Sequence, residues 1–197
     1  MKSKSMKILA AAALFLGTLL CAFPAQSAEE IIINGSTTVL PVMQKAGEAF
    51  MAANPGISLA ISGGGSGNGI KALNEGLCDV AMSSRDIKAT AREQGKARGV
   101  NAVGTAIAVD ALVPVVHPSN PVKNLSTEQL QQIYMGKISN WKELGGNDEK
   151  IVVISRDTSS GTYETWEEFI MKKQRVSASA LLQASNGAVV QTVAKNK

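Results

Sequence analysis

The sequence predicts an α/β fold, and two observations carry that prediction. Short apolar runs alternate with stretches of helical periodicity from residue 29 onward. Each of three such runs is joined to the following helix by a turn built from Gly, Ser and Thr. Composition agrees, because 45% hydrophobic and 18% charged residues describe a chain able to bury a core rather than a disordered one.

The first element is an address. Lys2, Lys4 and Lys7 precede an apolar run over residues 8–23, and Pro24-Ala25-Gln26-Ser27-Ala28 supplies small side chains before a cleavage point. This is the pattern of a secretory signal peptide over residues 1–28. The run falls short of the roughly 20 residues that span a bilayer. Leu20 before Cys21 argues against a lipid anchor. Losing Lys2, Lys4 and Lys7 from a formal charge of +4 leaves +1, and no basic stripe remains to bind nucleic acid. One His and two Cys exclude a zinc finger, a His-rich metal site and a disulfide scaffold. Once the leader is removed Cys78 stands alone in an apolar setting, as a small buried hydrophobe.

Residues 31–33 read as a strand and 40–51 as a helix with Leu40, Met43, Ala46, Ala49 and Phe50 at helical spacing. Asn54-Pro55-Gly56 ends that helix. Residues 57–62 are the next strand, 70–74 a short helix closed by Gly76, 80–82 a third strand and 90–97 a charged surface helix. Residues 106–109 and 111–116 are extended apolar segments separated by Asp110, and His117-Pro118-Ser119-Asn120-Pro121 forces a loop. Ser126 with Gln129 fits a capping box opening a helix to about Met135. A strand over 151–154, a helix over 162–172 and a final helical pattern over 188–194 complete the reading. The chain stops at Lys195-Asn196-Lys197 without a closing strand, so we expect a fragment.

The chemistry lies in the three turns: Asn34-Gly35-Ser36-Thr37-Thr38, Gly63-Gly64-Gly65-Ser66-Gly67-Asn68-Gly69 and Arg156-Asp157-Thr158-Ser159-Ser160-Gly161-Thr162. Each sets donors at a helix N-terminus, where free amides and the positive dipole end favour an anion. Any one of them is more often an ordinary cap. Three in one small α/β chain, the third carrying Arg156, shift the balance toward an anion site at the strand ends. Rival motifs fail on spacing. The P-loop would need Lys where Ile70 stands, and the dinucleotide and nucleophile-elbow patterns both meet Asn68 where Gly is required. His117 is remote in sequence from the Ser-rich turns, and no carboxylate cluster suggests a metal site or a glycosidase pair.

With Asp79-Val80-Ala81-Met82-Ser83-Ser84-Arg85 and Gly136-Lys137-Ile138-Ser139-Asn140-Trp141, these turns resemble the periplasmic phosphate-binding proteins of bacterial high-affinity phosphate ABC transporters. The resemblance implies a two-lobed type II periplasmic-binding-protein-like fold. Lobe I begins over residues 29–109 and lobe II spans 110–197, with the second lobe and the completion of the first partly missing. It implies capture of inorganic phosphate in the interlobe cleft by a monomer in the periplasm and delivery to a membrane permease, with no catalysis, cofactor or metal. The implied ligands are one or more of Ser36, Thr37 and Thr38 in the first turn, Ser66 in the second, and Arg156, Ser160, Gly161 and Thr162 in the third. Where well-known members place an aspartate that accepts the phosphate proton, this chain has Ser84, followed by Arg85. Ser84 can donate or accept, which weakens discrimination against sulfate unless Asp86 or Asp157 takes over. Arg85 either adds a charge-assisted bond or pairs with Asp86 outside the site. Sulfate, arsenate and a secreted phosphatase using the same cradle are the alternatives.

Overall fold

The computed structural model describes residues 29–196, so the leader expected over residues 1–28 lies outside the described residues. Strands β1 (Glu29–Gly35), β2 (Ile57–Gly63) and β3 (Val80–Met82) form a parallel sheet in the order β2-β1-β3. Glu29 lies opposite Ile57, Gly35 opposite Gly63, and Gly35 also opposite Met82. Because the strands run in parallel and in this register, the turns that follow them emerge along one edge. Strands β4 (Ile154–Arg156) and β5 (Leu181–Gln183) form a second parallel pair, with Arg156 opposite Gln183. The helices are α1 (Leu40–Ala53), α2 (Ser66–Asn74), α3 (Ala89–Lys96), α4 (Thr127–Tyr134), α5 (Gly161–Phe169) and α6 (Asn186–Lys195), with a 3₁₀ turn at Trp141–Leu144.

The crossover helices pack on the sheets through small residues. On α1 the contacting face runs through Leu40, Met43, Gly47 and Met51, and Gly47 is its one buried residue. A Cβ on Gly47 would lie 2.6 Å from Ile61 Cδ1 and 3.2 Å from Leu59 Cδ1, so a bare backbone lets β2 approach. The stripe expected from spacing is therefore rotated, and Ala46, Ala49 and Phe50 face outward. Ile33, Ile70, Cys78 and Met82 form the core of the three-stranded part; Ile133, Ile151, Trp166 and Met171 are buried in the other. Cys78 is buried as expected, its Sγ 3.8 Å from the Gly69 carbonyl, and burial pushes its thiol pKa up. Tyr134 packs against Trp166 with ring centroids 4.7 Å apart and planes tilted by 45°, and donates to the Ile154 carbonyl at 3.2 Å.

Most of the expected elements occur with shifted ends. Helix α2 begins at Ser66, four residues before its expected start, and α6 begins at Asn186 behind a Ser185 cap that accepts from Ala188 N–H at 3.1 Å. The Ser126–Gln129 capping box forms with both of its hydrogen bonds. The strand expected over 151–154 pairs only from Ile154 onward, because the Ile151 amide donates instead to the Ser139 carbonyl at 2.8 Å. Helix α5 stops at Phe169 rather than 172, where Lys172 and Lys173 take positive φ angles of 50° and 65°. The apolar segments 106–109 and 111–116 join no ladder among the described residues and lie exposed. Among the described residues no helix is long and apolar enough to cross a membrane.

Candidate functional site

All three Gly/Ser/Thr turns meet. The first and second join through main chain, the Gly64 and Gly65 amides both donating to the Gly35 carbonyl at 2.8 Å. The second and third join as Gly67 N–H donates to the Ser159 carbonyl at 2.9 Å, while Ser159 Oγ lies 3.3 Å from the Gly64 carbonyl oxygen. First and third meet at Thr38 Oγ1 and Thr162 Oγ1, 3.4 Å apart across 124 residues of chain. Gly161 is required here, since a Cβ would fall 2.5 Å from Ser84 Oγ and 2.6 Å from Ser66 Oγ.

Ser36, Ser66 and Ser160 are almost wholly buried. Ser36 Oγ accepts from the Thr38 amide at 3.2 Å and from the Val39 amide at 3.4 Å, and Ser160 Oγ accepts from the Tyr163 amide at 3.4 Å. Ser66 Oγ accepts from the Ser84 amide at 3.2 Å and lies 3.2 Å from Ser84 Oγ. A hydroxyl that accepts from an amide still carries its own hydrogen. Capping and donation toward a guest are thus compatible rather than rival roles. The Thr37 hydroxyl is buried with no hydrogen-bond partner among the described residues.

Arg156 is 5% exposed. Its Nε donates to the Gln183 carbonyl at 3.0 Å, one terminal nitrogen to the Ala184 carbonyl at 3.0 Å and the other to Asn186 Oδ1. All three acceptors are neutral, and among the described residues no carboxylate forms an ion pair with it. Asp157 is engaged elsewhere, its Oδ1 accepting from the Ser159 amide at 2.9 Å and from the Ser159 hydroxyl. Burial pulls the Arg156 pKa down, partly offset by the Asp157 charge. Three of five guanidinium N–H groups are used, which leaves two for another acceptor.

Arg85 differs. Its Nε lies 2.8 Å from Glu164 Oε2, one terminal nitrogen donates to Glu164 Oε1 at 2.9 Å and the other to the Asp86 carbonyl at 2.9 Å. Lys88 reaches the same carboxylate at 2.9 Å. Sequence proximity offered the Asp86 carboxylate as the partner of Arg85; the structure supplies Glu164, with only the Asp86 main chain taking part. The residue missed here, Glu164, lies 79 positions away and gave no local signal.

A cavity of about 410 Å³ opens beside the meeting point, lined at its polar corner by Thr38, Ser84, Arg156, Thr162 and Asn186. Its remaining wall is largely apolar and includes Val113, Val116 and Ile133. Ser36, Thr37, Ser66, Arg85, Ser160 and Gly161 lie outside the lining, behind or beside that corner. His117 does line the cavity, with its Nδ1 accepting from the Ser119 amide at 3.2 Å. Among the described residues no group of three His, Cys, Asp or Glu could hold a metal ion. Asn186 was not singled out by sequence, because the final helix was expected to start at 188; the Ser-Asn pair ahead of it was the available signal.

A profile described as a PBP superfamily domain matches residues 23–197. The chain is 36% identical over 141 residues to the phosphate-binding protein PstS of Bacillus subtilis, an alignment covering 72% of this chain and 46% of that protein. The structure is similar to that of a putative phosphate ABC transporter substrate-binding protein with bound phosphate from Clostridium perfringens. The TM-score is 0.69 at 35% identity, over 84% of this chain and 66% of that one. An ABC-type phosphate transport receptor from Vibrio cholerae gives a TM-score of 0.62 at 36% identity, over 85% and 68%. The chain spans about half the length of the curated relatives it matches. The α/β fold of the type II periplasmic-binding-protein kind is thereby established.

Proposed function

We propose a function from the premise that this chain belongs to the PBP superfamily: it binds inorganic phosphate at the polar corner where the three turns meet, as the extracytoplasmic solute-binding component of an ABC transporter. The observation that carries this reading is Arg156, a buried guanidinium satisfied only by neutral acceptors and facing a cavity. A buried charge without a counter-charge is unfavourable, and an anion at that corner supplies one. Bound there, phosphate accepts charge-assisted hydrogen bonds from Arg156 worth about 1.5–3 kcal/mol each. Thr38, Ser84 and Thr162 add neutral donors, with Ser36, Ser66, Ser160 and Gly161 shaping the turns behind them. Arg85, held by Glu164, fastens the loop after β3 to α5 beside the ligand. That the phosphate-binding relatives are transport proteins supports a role in binding without turnover. A monomer that follows the leader into the periplasm and passes phosphate to a membrane permease completes the reading.

Ser84 favours a broader range of anions. Its hydroxyl lines the cavity and can donate as readily as accept, so a fully ionised tetrahedral oxyanion such as sulfate is not turned away. Titration calorimetry of the full chain with phosphate and sulfate at two pH values separates the two readings. Arg156→Ala is expected to weaken phosphate binding more than about tenfold, given the strength of charged hydrogen bonds. Unchanged heats would remove Arg156 from the site, and turnover of a phosphoester would replace binding by catalysis.

A further inference from the structure

We propose that Asn186 is a positioning residue that sets the direction of the Thr38 hydroxyl, keeping its hydrogen on the cavity side where a bound anion can accept it; this rests on the phosphate reading above. The orientation of the Asn186 amide is dictated by its neighbours. A guanidinium has no acceptor, so the amide oxygen must face Arg156, and it does. The amide nitrogen is thereby committed to the opposite side, where Nδ2 donates to Thr38 Oγ1 at 2.9 Å across 148 residues of chain. Thr38 Oγ1 has then accepted a hydrogen bond, and its own hydrogen points away from Asn186, toward Thr162 Oγ1 or a guest in the cavity that both threonines line.

The chain of donation runs Arg156 to Asn186 to Thr38, from the end of β4 to the turn after β1. One amide therefore holds the guanidinium by its oxygen and orders a hydroxyl by its nitrogen. Without Asn186, the Thr38 hydrogen is free to turn into the space the amide leaves, which presents lone pairs to an anion and repels it. Hydrogen bonds linked in this way polarise one another, so the effect on affinity is shared between Asn186 and Thr38 rather than additive.

A double-mutant cycle read by phosphate calorimetry on the full chain tests this. Asn186→Ala and Thr38→Val are each expected to weaken phosphate binding about tenfold, and the double variant no more than about threefold beyond Thr38→Val alone. Thr38→Ser keeps the hydroxyl and is expected to restore the full sensitivity to Asn186→Ala. A merely structural role for Asn186 would make its cost the same in all three backgrounds, and that outcome overturns the proposal. If Asn186→Ala fails to fold by circular dichroism, Asn186→Leu, close in size and unable to donate to Thr38 or to accept from Arg156, carries the same cycle. An unsubstituted chain that binds no phosphate overturns the phosphate reading and this inference together, whereas tight binding with additive costs overturns this inference alone.

Discussion

Two apolar regions of this chain have similar composition and opposite surroundings. In the three-stranded sheet Ile33 is 5% exposed and Met82 2%. In the run that follows α3, Val113 is 64% exposed and Val109 is fully exposed at 101%. Ile33 lies on β1, flanked by β2 and β3, while Met82 lies on the edge strand β3, and α2 lies across β1 and β3. The run over 106–116 has similar side chains but no ladder partner among the described residues. Apolar patterning thus permits a strand, while a neighbouring edge is what makes one.

The largest test of this contrast lies at the seam between β1 and β3. Gly35 sits at φ +140°, and a Cβ there would stand 2.1 Å from the Met82 carbonyl oxygen. Gly35→Ala is expected to destabilise the chain by more than about 4 kcal/mol in a denaturant titration, since it combines positive-φ strain with a main-chain clash. A small effect would mean that the seam is looser than its geometry. Met82→Ala comes next, at about 3 kcal/mol, the cost of a core methionine and the cavity it leaves. Val113→Ser closes the series and is expected to stay within about 0.5 kcal/mol, as for a largely exposed side chain. A loss approaching that of Met82→Ala would show that the exposed run is covered in solution, and would end the contrast.

Much of the fold was legible in the sequence because its signals are local. Asn54-Pro55-Gly56 stops α1, Ser126 and Gln129 open α4, and isoleucine-bearing apolar runs that end in glycine mark β1 and β2. The misread boundaries have tertiary causes. Ser66-Gly67-Asn68-Gly69 has poor helix propensity, yet it forms the first turn of α2. A Cβ on Gly69 would fall 2.6 Å from both the Asn34 carbonyl oxygen and Gly35 Cα, so glycine is what lets the helix lie on β1. The second sheet was half invisible, because β5 is three residues long and mostly exposed. At the candidate site the three turns were legible as a repeated chemistry. Asn186 and Glu164 were not, because each becomes meaningful only through partners far along the chain: Thr38 and Arg156 for one, Arg85 for the other.

The join between Gly67 and Ser159 runs from amide to carbonyl and involves no side chain. Truncation of Ser159 to alanine therefore passes over it, whereas any side chain at Gly67 presses on it, because a Cβ there would stand 3.2 Å from the Ser159 carbonyl oxygen. Proline at 67 would remove the amide itself. The clasp between these distant segments is for that reason one-sided: silent on the serine and sensitive on the glycine.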